Sequence, residues 1–250
     1  MLTLKQQLYG YFAPKDCAHA IAKVRRWEYI LPSQASRFAV PFAFRGRRYF
    51  RSIKPLQTPG EIQGAFELCC QIKPQRVLEI GTAKGGTLYL WCQAAADDAT
   101  LISIDLPGGK FGGGYVQPRA ELYRSFAKPN QTLHLLRANS HADDTRAKID
   151  DLLDGQPFDF AFIDGDHSYA GVRDDFMYYG KLIRPGGVCL FHDINPAPHD
   201  PEIEVDQLWS QIKDRFESHE FIATDDQNRH LGIGMIRIGD DGFPADLQLQ

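Results

Sequence analysis

The chain reads as an α/β protein, a parallel sheet covered on both faces by helices. Three observations carry that expectation. Short apolar runs of buried-strand length recur, among them Arg76–Ile80, Leu101–Asp105 and Phe158–Ile163. Helical stretches separate them, and such alternation builds parallel sheets through right-handed crossovers. Glycines and polar residues stand at the strand ends, where open α/β sheets bind ligands.

The elements follow in order. Residues 1–15 predict a short helix that stops near Ala13-Pro14, and Cys17 to Tyr29 a second one, broken by Leu31-Pro32-Ser33. Residues 34–54 interleave aromatics with arginines, and Phe44 to Tyr49 reads as a hairpin around Gly46. Thr58-Pro59-Gly60-Glu61 has the cap, proline and acid of a helix start. That helix runs to Ile72. Arg76–Gly81 is a strand ending in a glycine turn, and Gly85 to Ala96 a helix. Leu101–Asp105 is a strand, residues 107–114 a glycine-rich loop, Gln117–Phe126 a helix and Thr132–Leu136 a third strand. A helix over Asp143–Leu153 leads to the strand Phe158–Ile163, and another covers Ser168–Ile183. Pro185-Gly186-Gly187 reads as a turn before a strand over Val188–Phe191. Residues 203–217 read as helix, Glu220–Ala223 and Leu231–Ile236 as strands, and the tail from Gly239 as polar and frayed.

The boundary between an amino-terminal extension, 1–55, and a core, 56–238, falls near Leu56; residues 239–250 form the tail. A chain of 250 residues suits one α/β domain with such an addition. No run of about 18 apolar residues predicts a membrane span, and the amino terminus lacks the apolar core of a signal peptide. Cys17, Cys69, Cys70, Cys92 and Cys189 are odd in number and include an adjacent pair. That pattern fits reduced, packing thiols in a cytoplasmic protein. Residues 1–60 carry 11 Lys/Arg against 2 Asp/Glu, and the remainder 17 against 30. The basic, aromatic segment suits a lid, a contact between copies in a homo-oligomer, or an anionic partner. The acidity of the rest argues against nucleic acid.

The strand ends carry the chemistry. In VLEIGTAKGGT, Gly81 lets the backbone turn, and Gly85 and Gly86 let a ligand approach the helix amino terminus. Ala83 stands where G-x-G-x-x-G has its second glycine, so a pyrophosphate is disfavoured. Glu79 repels phosphates too, and suits a cationic ligand or an amine donor. Asp105, at the end of the next strand, is placed to accept hydrogen bonds from ribose hydroxyls. Asn139 and Ser140 offer donors and acceptors to an adenine edge. Asp164, Asp166, His167, His192 and Asp193 stand at two further strand ends and are expected to converge.

EIGTAKGGT and ISID resemble the first two motifs of class I S-adenosylmethionine-dependent methyltransferases. IDGDHSYAGVRDDF and RPGGVCLFHDIN resemble their small-molecule O-methyltransferase branch, which includes catechol, macrolide-sugar and cephalosporin-hydroxylase-like enzymes. The resemblance covers about residues 56–238. It implies a Rossmann-like, doubly wound, seven-stranded, mostly parallel sheet whose last strand is antiparallel. It implies S-adenosylmethionine as cofactor, with Glu79, Gly81 and Thr82 near its methionine moiety, Gly85 and Gly86 shaping the turn, Asp105 on the ribose, and Asn139 and Ser140 at the adenine. Asp164 also faces the cofactor. In metal-dependent relatives the positions of Asp164, His192 and Asp193 hold a divalent cation. Magnesium prefers oxygen ligands, so a histidine at the second of these positions either weakens the binding of Mg2+ or favours a softer ion such as Mn2+. His167 resembles the base that takes the proton of the acceptor hydroxyl.

The resemblance thus implies O-methylation of a small hydroxylated molecule, and the arginines suggest an anionic or polyhydroxylated one. A hydroxylase-like enzyme of the same fold, or a module that binds the cofactor without catalysis, are the alternatives.

Overall fold

The computed structural model describes residues 3–111, 114–198, 200–223 and 232–249. Among them, seven strands form one sheet in the order β3-β2-β1-β4-β5-β7-β6. They are β1 (Arg76–Ile80), β2 (Thr100–Ile104), β3 (Thr132–Leu136), β4 (Phe158–Ile163), β5 (Ile183–His192), β6 (Glu217–Phe221) and β7 (Ile233–Arg237). The first five pair in parallel, and β7 runs antiparallel between β5 and β6. The helices are α1 (Leu4–Ile30), α2 (Gln34–Arg37), α3 (Val40–Ala43), α4 (Pro59–Ile72), α5 (Gly86–Ala94), α6 (Ala120–Arg124), α7 (Asp143–Leu153), α8 (Tyr169–Tyr179) and α9 (Val205–Ile212). Strand order reverses between β1 and β4, which opens a crevice at their carboxyl ends.

Successive strand residues point to opposite faces, and the core divides accordingly. Val77, Leu101, Phe160, Phe162, Val188 and Leu190 pack with the side that carries α4, α5 and α6. Leu78, Ile80, Ile102, Ile104, Ala161, Cys189 and Phe191 pack with the side that carries α7, α8 and α9. Both faces are covered, so the strands are apolar throughout rather than alternating.

The structure departs from the sequence reading in several places. The break predicted at Pro14 is absent, and α1 continues through it. The missing N–H would have served the carbonyl of Gly10; Gly10 and Pro14 are both exposed, so water can take its place. Pro185-Gly186-Gly187 lies inside β5 rather than in a turn. Register against β4 shifts nearby, between Phe158 and Phe160, while Gly186 N and Gly187 O pair with Ile238. No hairpin forms around Gly46: Arg48–Phe50 is a 3-10 turn, and Gly46 N donates to Arg51 O at 2.9 Å. The helix expected over Gln117–Phe126 is a 3-10 turn followed by α6. Those expected over Ser168–Ile183 and 203–217 end at Tyr179 and Ile212. The tail is packed, with Leu247 and Leu249 buried and Phe243 against Phe176 at 5.2 Å. Gly112, Gly113 and Leu231, part of the expected glycine loop and last strand, lie outside the described residues.

The amino-terminal segment is docked on the core. Ala13, Cys17, Ala20 and Val24 share one buried face of α1, and Phe44, Phe50 and Ile53 are buried beside them. Asp16 pairs with Arg48 at 2.5 Å, and the Arg48 guanidinium lies over Phe12. Arg119 donates to Tyr49 O, Ser52 O and Lys84 O, which ties the segment to the turn after β1.

Glycines in β7 mark a close approach, and the partner is protein. A Cβ on Gly234 would stand 2.6 Å from the indole of Trp209 on α9. Gly234→Ala is therefore expected to cost about 1–3 kcal/mol by overpacking, read from urea unfolding. An unchanged midpoint would show that α9 can retreat freely.

Candidate active site

A cleft of about 910 Å³ opens at the carboxyl ends of the strands, lined by residues that follow β1 to β5 and by residues 200–204. The turn after β1 sets its floor. Gly81 has φ +96°, and a Cβ there would meet the Asp164 carbonyl oxygen at 1.9 Å. Gly85, at φ +79°, caps α5 beneath the Tyr123 ring, and a Cβ on Gly86 would stand 2.3 Å from Ile53 O. These glycines thus serve close approach of chain to chain. Ala83 holds φ +44° between them, a left-handed conformation that side chains disfavour.

Glu79 is buried below this turn and does not line the cleft. Its oxygens accept from Thr87 Oγ and Ser103 Oγ at 2.6 Å, and Ser103 Oγ lies 2.6 Å from Thr82 Oγ. Burial pushes its pKa up to about 8. Asp105 does line the cleft; its Oδ2 accepts from Tyr115 N at 2.8 Å, and burial raises it to about 6. Asn139 and Ser140 line the cleft beyond it, after β3.

Asp164, His167, His192 and Asp193 converge, whereas Asp166, expected among them, accepts from Ser168 N and Ser168 Oγ at 3.0 and 2.7 Å. His167 Nδ1 lies 2.8 Å from Asp193 Oδ2, and its Nε2 lies 3.5 Å from Asp164 Oδ1. His192 is deeper: its Nδ1 stands 3.1 Å from Asp164 Oδ1 and 2.9 Å from Asp193 Oδ1. Burial opposes charge on both imidazoles, but Asp193 and Asp164 outweigh it and raise both pKa values. Burial also opposes charge on Asp193, yet His192 and His167 hold it well below the usual carboxylate range. One nitrogen of His167 and one oxygen each of Asp164 and Asp193 lie within 4.8 Å of one another, a spacing that suits a cation. Two carboxylates and an imidazole are a donor set for a divalent ion such as manganese. His192 is 95% buried by comparison, and its Nε2 faces Glu61 Oε1 at 3.5 Å.

Sequence reasoning missed the residues behind this cluster. Gln57 Nε2 donates to Asp164 Oδ2 at 2.7 Å. Glu61 was legible only as the acid of a capping box, yet its Oε2 also accepts from Gly232 N at 3.0 Å. Phe111 stacks on His167 with 4.8 Å between centroids. Asp166, Asp200, Glu202 and Glu204 make the rim acidic, with Lys110 paired to Glu202 at 2.8 Å. Arg45, Arg47 and Arg48 do not line the cleft. Arg45 donates to Phe42 O and Phe44 O, and Arg48 pairs with Asp16.

Residues 78–194 match the family model described as a methyltransferase domain. An uncharacterized protein of Sinorhizobium fredii, y4gI, is 30% identical over 145 residues, which is 56% of this chain and 15% of that protein. The chain therefore spans only a small part of that relative's length. Among solved structures, the O-methyltransferase TomG of Streptomyces achromogenes, in complex with S-adenosylmethionine, superposes with a TM-score of 0.53. It is 17% identical, over 86% of this chain and 98% of that one. MycE methyltransferase, in complex with Mg, S-adenosylhomocysteine and mycinamycin VI, has a TM-score of 0.52 and 18% identity over 85% of this chain and 57% of its own. The fold is the seven-stranded, mostly parallel α/β sheet shared with these solved methyltransferase structures.

The buried Glu79 gives a pH signature. Its folded pKa of about 8 lies above its ordinary 4.5. Below 4.5 both states are protonated; as pH rises toward 8 the unfolded chain ionises first, so folding loses stability. Glu79→Gln removes that loss. The stability of the variant minus that of the parent, from urea unfolding, is expected to grow between about pH 5 and pH 8. A constant difference would contradict burial as the cause.

Proposed function

We propose that this chain, whose residues 78–194 carry a methyltransferase domain of the class I fold, methylates a hydroxyl of a small molecule at the expense of S-adenosylmethionine. The observation that carries the reading is the approach of His167 Nδ1 to Asp193 Oδ2 at 2.8 Å, in a cleft that Asp105 also lines. Bound S-adenosylmethionine supplies an electrophilic methyl carbon with a sulfide as leaving group, attacked in line. The residues present fit it. Asp105 would accept from the ribose hydroxyls, Asn139 and Ser140 would line the adenine side, and Gly81 and Ala83, the residues of the turn after β1 that line the cleft, would border the methionine side. Glu79 supports that turn through Ser103 and Thr82 rather than by touching the cofactor.

Asp193, 2.8 Å from Nδ1 of His167, would orient the ring and leave Nε2 to take the acceptor's hydroxyl proton. Phe111 covers the ring and limits water. The acidic rim favours a neutral, polyhydroxylated or cationic acceptor, in place of the anionic one that the arginines suggested. A second reading is favoured by the spacing of Asp164, His167 and Asp193. There these three residues hold a divalent cation, which would lower the acceptor's pKa, with His192 behind them. Residues 1–55 are taken as an extension docked on a core of 56–238. Its exposed Leu4, Leu8 and Tyr11 on α1 suit contact between copies. The free cysteines suit a cytoplasmic setting.

The test is transfer of labelled methyl from S-adenosylmethionine to a panel of catechols, sugars and amino sugars. Transfer is expected, with His167→Gln lowering kcat about 10²–10⁴-fold and leaving S-adenosylhomocysteine affinity unchanged. EDTA treatment distinguishes the readings: loss of rate with recovery on manganese addition supports the cation, and indifference to EDTA supports the base alone. Good cofactor binding with no transfer would favour the hydroxylase-like or binding-only alternative; no cofactor binding sinks the proposal.

A further inference from the structure

The glycine-rich loop after β2 enters the chemistry above only as a cover, yet it is built to reach across the cleft. It leaves the sheet at Asp105 and is drawn back there, where Tyr115 N donates to Asp105 Oδ2 at 2.8 Å. Within it Gly108 holds φ +75°, a conformation open to glycine, and Gly109 N donates to Leu106 O at 3.1 Å. The two residues after this turn meet the far side of the cleft. Phe111 lies parallel to the His167 ring, with 2° between the planes and 4.8 Å between the centroids. Lys110 Nζ pairs with Glu202 Oε1 at 2.8 Å.

The His167 ring needs a hold that its polar neighbours do not give. Asp193 Oδ2 lies 2.8 Å from Nδ1, and Asp164 Oδ1 lies 3.5 Å from Nε2. Contacts at ring nitrogens direct the ring, but they resist tilting about the line through those nitrogens poorly. A flat group laid on the ring face opposes that tilt, and offset stacking is a favoured arrangement of π-systems. The main chain is held as well. Glu204 N donates to His167 O at 2.8 Å, and Glu204 Oε2 accepts from Tyr169 N at 2.9 Å. Glu202, the partner of Lys110, belongs to the same segment. Residues 202–204 thus join the loop that carries Phe111 to the backbone that carries His167. The Lys110–Glu202 pair is exposed and adds little by itself.

We infer that Phe111 is a positioning residue for the proposed base: its ring, laid on the imidazole face, holds the plane in which His167 Nε2 meets the acceptor hydroxyl. The inference rests on the base reading and adds to it a residue from the β2 end of the cleft. Phe111 acts through His167 and takes no part in proton transfer. Without the flat face the imidazole rocks and Nε2 leaves the line of the hydroxyl, which costs turnover and spares cofactor binding.

Steady-state kinetics of the full chain, with an acceptor found in the panel above, test this. Phe111→Leu keeps apolar bulk and loses the flat face. It is expected to lower kcat about 10-fold, with the KM of the acceptor and the Kd of S-adenosylhomocysteine unchanged. Phe111→Tyr keeps the face and is expected to retain the parent kcat. A second readout needs no turnover. In NMR spectra of histidine-labelled protein, the ring-proton signal of His167 is identified by its absence from His167→Gln. That signal should move downfield in Phe111→Leu, where the shielding ring is gone, and stay near its place in Phe111→Tyr. A parent kcat in Phe111→Leu would show that bulk alone suffices, and a loss confined to the acceptor's KM would make Phe111 an acceptor contact. Either result, a Tyr variant as slow as the Leu variant, or an unmoved His167 signal would overturn the inference while leaving the methyltransferase reading intact. A parent chain that transfers no methyl group would overturn both.

Discussion

Glu61 is the side chain on which the ends of the sheet depend. It is 1% exposed, and its carboxylate gathers three elements. One oxygen accepts from Thr58 N and fixes the start of α4. The other accepts from Gly232 N, just before β7. The first also faces His192 Nε2, at the end of β5. From His192 the sequence of charges alternates: Asp164 and Asp193, then His167. Gly232 closes the arrangement, because its carbonyl accepts from Asp193 N at 3.0 Å. Asp193 has φ +63°, a left-handed conformation that aspartate tolerates better than most residues. In a low-dielectric setting such a network is strong when complete, and removing one member leaves a buried charge uncompensated.

The amino-terminal segment has a part in the same arrangement. Arg45 is spent on the Phe42 and Phe44 carbonyls and Arg48 on Asp16, while Phe44 and Phe50 pack inward. What it contributes to the site is a position: Gln57 reaches Asp164, and Leu56 stands at the cleft. Ile53 O and Pro55 press against Gly86, so the glycine turn is held from outside as well as from the sheet. Segment and core are joined by Arg37 donating to Gln93 and by Arg119 donating to Tyr49 O and Ser52 O. The cleft itself keeps its acidic rim.

Strand positions were legible because buried parallel strands are continuous apolar runs, and β1, β3 and β4 fall where those runs do. Asp105, Asn139, Ser140, Asp164, His167, His192 and Asp193 were legible as polar residues at strand ends, which the topology brings to one edge. Punctuation misled where context overrode it. Pro14 lies on the exposed side of α1, and Pro185 lies where β5 pairing is irregular. Glu79 was legible as a strand-end acid but not as a buried one, since its partners Thr87 and Ser103 come from two other elements. Gln57 and Glu61 act through contacts 107 and 171 residues away along the chain, and no local pattern encodes such distances.

The claim that this buried chain of carboxylates and imidazoles sets the proposed base is tested most directly at its far end. Glu61→Gln keeps the shape and removes the charge. The kcat for methyl transfer and the Kd for S-adenosylhomocysteine should be measured on the same preparation. The account predicts kcat lower by about 10- to 100-fold, through misplacement of His167, with cofactor affinity unchanged. An unchanged kcat, or a loss confined to cofactor binding, would contradict it.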